Sequence, residues 1–440
     1  MQSKIDELVE ITAVHGNYKG TIMPNSNDEV LFLKLHSGYN IGIDKKKIKK
    51  IKSVPGNEEI KKKSEKTMPV AKIKQKNGLP TIAILHTGGT LASKVDYKTG
   101  GVISKFKPEE LVSMFPELSK IANIKSVFIS NMFSDQMTFD NYIKIARAAL
   151  KEIKSGVKGI IIGHGTDTMH YTAAALSFMF EHLPIPILLV GAQRSSDRGS
   201  TDAAMNMICA VEFMNKTDFH GVAICMHDSE SDDKCAILPA TKTRKIHTSR
   251  RDAFKTINDK PIANVDYNTR TIEIFKKIEK EKPKEVILKH NLEKKVGLLK
   301  IYPNMNSSSI KAFKGYKGLV IEGTGLGHLP ITQSDENKKI FNELKKLIKS
   351  GCIVVMASQC IFGSVNMNVY SIGRDLLEIG VIPAEDMLAE TAYVKLAWLL
   401  ANHKKDARTL IRKNLRGELK ERLLPEEFLS QHDFDSPNNG

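Results

Sequence analysis

At 440 residues the chain exceeds what a single hydrophobic core ordinarily organises, and a 41% hydrophobic fraction can fill two or three cores, which excludes a disordered or fibrous protein. Lysine and arginine number 66 against 50 acidic residues, a formal excess of +16. That balance favours anionic partners, nucleic acid foremost, although a lysine-rich background composition leaves the same excess.

Residues 1–52 alternate short apolar runs with turns: Gly20-Thr21-Ile22-Met23-Pro24, then Val30-Leu31-Phe32-Leu33-Lys34-Leu35, then Tyr39-Asn40-Ile41-Gly42-Ile43 after the turn His36-Ser37-Gly38. The period of two with frequent turns predicts a small β-barrel. Residues 53–78 are Lys-rich, carry Pro55 and Pro69, and read as a charged linker that buries too little to fold alone. From Leu79 the pattern changes. Strand-like runs at 81–85, 124–129, 159–162, 185–190 and 221–226 alternate with helical stretches at 107–115, 139–155, 168–182 and 201–215. This βαβ order predicts a parallel sheet with helices on both faces, an α/β domain spanning 79–294. Within it, residues 259–293 are charged, hold one strand-like stretch at 271–274, and read as the connection to a second block. That block, 295–440, is α/β again, with strands at 296–301, 318–321 and 352–357. Its helices fall at 336–349, 373–379 and 385–402, with a C-terminal tail beyond.

The five cysteines, Cys209, Cys225, Cys235, Cys352 and Cys360, form no C-x-x-C pair, which points to reduced thiols rather than a disulfide frame or zinc site. No apolar run approaches the roughly 18 residues of a membrane span. The first residues lack the apolar segment of a secretory leader. A cytoplasmic chain with no membrane association is expected.

Two threonine-rich turns follow buried-strand patterns: Thr87-Gly88-Gly89-Thr90 after residues 81–85, and His164-Gly165-Thr166-Asp167-Thr168 after residues 159–162. Ligands of parallel α/β sheets gather beyond the carboxyl ends of the strands, where both turns lie. Each feature alone has an ordinary explanation. A glycine pair is a common loop, and neither G-x-G-x-x-G nor G-K-[ST] is present to cradle a phosphate. Asp167 or Thr168 can cap the helix that follows, whose Ala173, Leu176 and Phe180 fall at helical spacing. His164 and His170 lack metal-pair spacing and read as structural. Lys242, in Ala240-Thr241-Lys242-Thr243, is one lysine among many. Together, however, two hydroxyls, a carboxylate and a lysine supply nucleophilic amide hydrolysis. A hydroxyl attacks poorly until a neighbouring base removes its proton, and a desolvated lysine can be that base.

The trio of TGGT, HGTDT and a later T-K-T, in that order, resembles the bacterial-type L-asparaginase family over about residues 79–424. The resemblance implies catalytic roles for Thr90, Thr166, Asp167 and Lys242, with either threonine as the attacking group. It implies that Gly89, Gly165 and the pair Ser134-Asp135 hold the substrate, with Tyr97 standing for a mobile-loop tyrosine. No metal site is implied. The extra N-terminal region, with Leu33-Lys34-Leu35 and Gly38-Tyr39-Asn40-Ile41-Gly42, resembles the D-type subunits of archaeal glutamyl-tRNA(Gln) amidotransferase. So do Val365-Asn366-Met367-Asn368-Val369-Tyr370, Gly373-Arg374-Asp375 and Ile382-Pro383-Ala384-Glu385-Asp386-Met387. The implied fold is a two-domain, asparaginase-like parallel-sheet α/β protein preceded by a small SH3-like β-barrel. The implied activity is a glutaminase releasing ammonia from glutamine (or asparagine) for ATP-dependent conversion of Glu-tRNA(Gln) to Gln-tRNA(Gln). No cofactor is expected in this chain, where no Walker motif occurs; ATP and Mg belong to the partner. The implied assembly is a heterotetramer, a homodimer flanked by two copies of the E-type amidotransferase partner, which makes most of the contacts with tRNA(Gln). Two rivals are a free-standing cytoplasmic L-asparaginase and a catalytically idle tRNA-binding scaffold.

Overall fold

Alternating apolar residues build the first sheet. A computed structural model describes residues 7–23, 26, 29–35, 40–54, 76–89, 93–95, 102–104, 117–194, 201–278 and 284–428. The helix expected at 107–115, most of the linker, Thr90 and Tyr97 lie outside those residues. Five antiparallel strands run in the order Asn40–Asp44, Val30–Leu35, Gly16–Ile22, Leu8–Ala13, Ile48–Ser53. Val9, Ile11 and Ala13 share one face, as a period of two requires, and pack with Ile22, Leu31, Leu33 and Ile43 into a small core. The fifth strand returns to pair with the first, Ile11 opposite Ile51.

The main sheet has eight strands in the order Ile272–Ile274, Ala263–Asp266, Lys234–Pro239, Gly221–His227, Pro186–Val190, Gly159–Gly163, Thr81–Gly88, Asn123–Met132. The last five in that order are parallel to one another, and the first three join antiparallel. Successive residues feed opposite cores: Ala83 and Leu85 pack toward the helices Phe139–Lys154 and Met169–Met179, while Ile82 and Ile84 pack toward Ala203–Lys216. Burial on both faces is why these strands read as unbroken apolar runs.

The region 259–293 is not simply a connection. Ala263–Asp266 and Ile272–Ile274 extend the main sheet at its edge, with Ala263 and Val265 fully buried. The second matches the strand-like stretch at 271–274, while the first leaves only two inward residues as a signal, which its charged surroundings obscure.

A second parallel sheet runs Val296–Lys300, Gly318–Gly323, Ile353–Ser358, Ile382–Pro383. The helix Asp335–Lys349 buries Ile340, Leu344 and Leu347 against it, and its Ser334 hydroxyl accepts the Asn337 N–H as a cap. The helix Ala389–Asn402 lies against Met169–Met179, with Phe178 and Trp398 stacked at 5.9 Å, so one core joins the two blocks. That helix starts four residues later than the sequence pattern suggests, because Glu385 has a φ of 56° and turns the chain first.

Candidate active site

The turn that ends Thr81–Gly88 owes its shape to glycine. Gly88 and Gly89 have φ of 112° and 79°, and a Cβ on Gly89 would sit 2.4 Å from the Gly165 Cα and N. The two threonine-rich turns therefore meet backbone to backbone, an approach only glycine permits. The Thr87 hydroxyl donates to the Gly163 carbonyl at 2.8 Å and ties the neighbouring strands together.

His164 braces the second turn from beneath. Its fully buried ring meets the Gly165 carbonyl through Nδ1 at 2.7 Å and the Thr172 hydroxyl through Nε2 at 2.8 Å. Thr168 takes the N-terminal position of the Met169–Met179 helix, but neither it nor Asp167 supplies a side-chain cap. The Thr168 hydroxyl donates instead to the Ser134 carbonyl at 2.6 Å, fastening the Ser134–Gln136 turn to the site. Ser134 is buried, and a Cβ on Gly165 would lie 2.8 Å from its Oγ. Asp135 beside it is exposed. A third wall comes from Gly191, at the end of Pro186–Val190, where an added Cβ would be 2.9 Å from the Thr166 methyl.

The lysine at this junction is Lys245. Its Nζ lies 2.9 Å from the Thr166 hydroxyl and 2.8 Å from the Asp167 carboxylate, with the side chain only 9% exposed. Lys242, expected in this place, serves elsewhere. It is fully buried, its ammonium paired with the Asp386 carboxylate and donating to the Asp386 carbonyl at 3.2 Å. Lys242 belongs to the turn closed by its N–H on the Pro239 carbonyl, whereas Lys245 ends the strand Thr243–Lys245. No local pattern singles out Lys245, because Lys242 lies before the strand and its direction follows from pairing with Asp386. Gly89, Ser134, Gly165, Thr166 and Asp167 thus converge; Thr90 and Tyr97 fall outside the described residues.

Burial lowers the pKa of His164 to about 4 and, helped by the cations of Arg244 and Lys245, that of His170 to about 3. The His170 Nδ1 has no hydrogen-bond partner among the described residues. Both rings are neutral when folded but gain a proton when unfolded below about pH 6.5, so their stabilisation is complete above that pH and is lost as pH falls toward the folded values. At pH 5 each ring is expected to cost about 2 kcal/mol relative to neutral pH. Urea unfolding at about pH 7.5 and about pH 5 measures this; equal stabilities would mean the rings are not buried and neutral.

A hydroxyl, an amine and a carboxylate in series, beside backbone N–H groups of glycine turns, form the arrangement of an activated nucleophile with oxyanion donors. Among the described residues no group of three or more His, Cys, Asp or Glu could hold a metal ion, and no helix is long and apolar enough to cross a membrane.

Residues 81–280 match the family described as "Asparaginase, N-terminal", residues 295–412 the "Glutaminase/Asparaginase C-terminal domain", and residues 4–54 the "GatD N-terminal domain". The D-type subunit of the Methanococcus maripaludis glutamyl-tRNA(Gln) amidotransferase is 45% identical, over 95% of this chain and 99% of its own length. That of Pyrococcus furiosus is 47% identical, over 94% of this chain and 93% of its own. Among solved structures, the thermostable L-asparaginase from Thermococcus kodakarensis superposes with a TM-score of 0.69 at 28% identity, covering 78% of this chain and 100% of that one. L-asparaginase I from Vibrio cholerae gives 0.67 at 26%, again over 78% and 100%.

Proposed function

This chain belongs to the family of D-type glutamyl-tRNA(Gln) amidotransferase subunits, and from that premise we propose that it is the glutaminase component of a tRNA-dependent amidotransferase, freeing ammonia from glutamine for a partner that amidates Glu-tRNA(Gln). The observation that carries the chemistry is the Lys245 amine spanning Thr166 and Asp167. Lys245 acts as the base that takes the Thr166 hydroxyl proton, and Asp167 stabilises the ammonium that results. A threonine alcohol attacks the side-chain amide carbon: Thr166 directly, or Thr90 after handing its own proton to the deprotonated Thr166. The N–H groups around Gly88, Gly89 and Gly165 hold the oxyanion, each such donor being worth about 3–4 kcal/mol. The lysine ammonium returns its proton to the leaving nitrogen, ammonia departs, and water then cleaves the acyl-threonine. Ser134 and Asp135 hold the substrate's amino-acid end.

The solved asparaginases cover 78% of this chain, while residues 4–54, within which the N-terminal strands lie, match a separate family. That extra domain favours an amidotransferase component over a free-standing L-asparaginase. The fuller reading is a cytoplasmic homodimer flanked by two copies of the E-type partner, which holds ATP, Mg and most tRNA contacts. Co-expression with that partner should yield a co-purifying complex whose ammonia release from glutamine rises when tRNA(Gln) charged with glutamate is added. Full turnover of asparagine by the isolated chain, indifferent to tRNA and partner, would instead establish a free-standing asparaginase.

A further inference from the structure

A buried polar network outside the Thr166–Lys245–Asp167 group ends at the third wall of the site. Asp202 is 1% exposed, and its two carboxylate oxygens accept the Gln193 and Arg194 N–H groups, each at 3.0 Å. Asn206, fully buried one helical turn later, donates through Nδ2 to the Gly191 carbonyl and to the Asp202 carboxylate, both at 3.1 Å. Because Nδ2 faces two acceptors, the amide orientation is fixed, and Oδ1 must meet a donor. It meets His227 Nδ1 at 2.6 Å and the Cys235 thiol at 3.4 Å. Nδ1 therefore carries a proton. His227 Nε2 lies 3.3 Å from Asp232, which is itself paired with Arg251.

The far end of this network touches the chemistry. The Gly191 carbonyl is held by Asn206, and the Gly191 backbone lies against the Thr166 methyl and the Met169 terminus. A threonine rotates methyl and hydroxyl together about one stiff torsion. Whatever fixes the methyl also fixes where the hydroxyl points, here toward Lys245.

We propose that Asn206, oriented by His227 and braced by Asp202, is a positioning residue for amide hydrolysis: it anchors the turn from Gly191 to Arg194, which in turn locks the Thr166 rotamer onto Lys245. This rests on the proposed amidase function. If the turn loosens, Thr166 can rotate away, and misplacement of a reacting group by about 1 Å costs on the order of 10²-fold. The loss falls on kcat rather than on KM, since the polar network touches the turn from behind the site.

The test uses the full chain with its co-expressed partner. Asn206→Asp keeps the size and the acceptor toward His227 but cannot donate to Gly191. Its kcat for glutamine is expected to fall about 10–100-fold with KM little changed. His227→Leu, which removes the donor that orients Asn206, should lower kcat in the same way, and His227→Asn, which restores a donor at the Nδ1 position, should recover most of it. Hydrogen exchange at the Gln193 and Arg194 amides should quicken in Asn206→Asp and His227→Leu by more than the fall in global stability accounts for, the carboxylate beside Asp202 lowering the Tm of Asn206→Asp as well. Unchanged exchange, equal kcat in the two His227 variants, or a kcat loss matched by the loss of folded protein would overturn the proposal. Should the parent chain itself release no ammonia, the amidase reading fails, and the exchange measurement still judges the tie between Asn206 and the turn.

Discussion

Lys245→Met is expected to lower glutamine hydrolysis about 10²–10⁴-fold, the usual contribution of a positioned base, with little change in Tm. The Lys245 amine contacts the hydroxyl of Thr166 and the carboxylate of Asp167, and the Asp167 side chain is 71% exposed. Losing the amine therefore strands no buried charge, and the methionine stem preserves the packing. Steady-state kinetics on the complex, with the folded fraction measured alongside, checks this. Retained turnover would mean that Thr166 gives its proton to another group.

Lys242→Met should do the opposite: destabilise the fold by about 3–5 kcal/mol, the cost of breaking a buried ion pair, while leaving turnover per folded molecule near the parent. Lys242 and Asp386 are 0% and 2% exposed, so without the ammonium the carboxylate stays buried and uncompensated. Burial lowers the Lys242 pKa, and the Asp386 charge opposes that shift. Asp386 also gathers the C-terminal segment, accepting the Lys420 N–H at 3.0 Å, and its carbonyl accepts from Asn258 at 3.3 Å. The pair therefore fastens the Ala240–Thr243 turn to the second block. Replacing both partners, Lys242→Met with Asp386→Leu, should recover most of the stability, because an apolar pair removes the desolvation cost of both charges. Denaturant unfolding of the single and double variants decides. A Lys242→Met protein of parent stability but without activity would return the base role to Lys242.

A second buried pair secures the same tail. Lys395 and Glu418 are both 0% exposed, and the Lys395 ammonium also donates to the carbonyls of Ile411 and Lys413 at 2.9 and 2.6 Å. Arg416 reaches back to the Ser177 carbonyl at 2.9 Å. Charged residues of the second block thus hold the first, Asp386 through Lys242 and Arg416 through the Ser177 carbonyl.

Part of the site is legible in the residues alone. Gly89 and Gly165 stand out because close backbone approach demands glycine, and Thr166 with Asp167 because they end a strand that is apolar on both faces. Ser134 is the harder case: nothing local marks it, and it joins the site through the Thr168 hydroxyl, which local pattern gives to the helix as a cap. The strand Ile272–Ile274 falls within the stretch at 271–274 that reads as a strand, whereas Ala263–Asp266 is obscured by charge on a short sheet edge.

The order of strands and helices, the parallel sheet and the two glycine turns are written in the local pattern, because hydrophobic period and backbone freedom are properties of neighbouring residues. Which lysine faces Thr166 is not. Lys242 sits in the turn before the strand and Lys245 at the strand's end, so strand alternation does not fix their relative directions. Lys242 meets Asp386 from the second block and Lys245 meets Thr166, so only the packing of the two blocks assigns one lysine to stability and the other to chemistry.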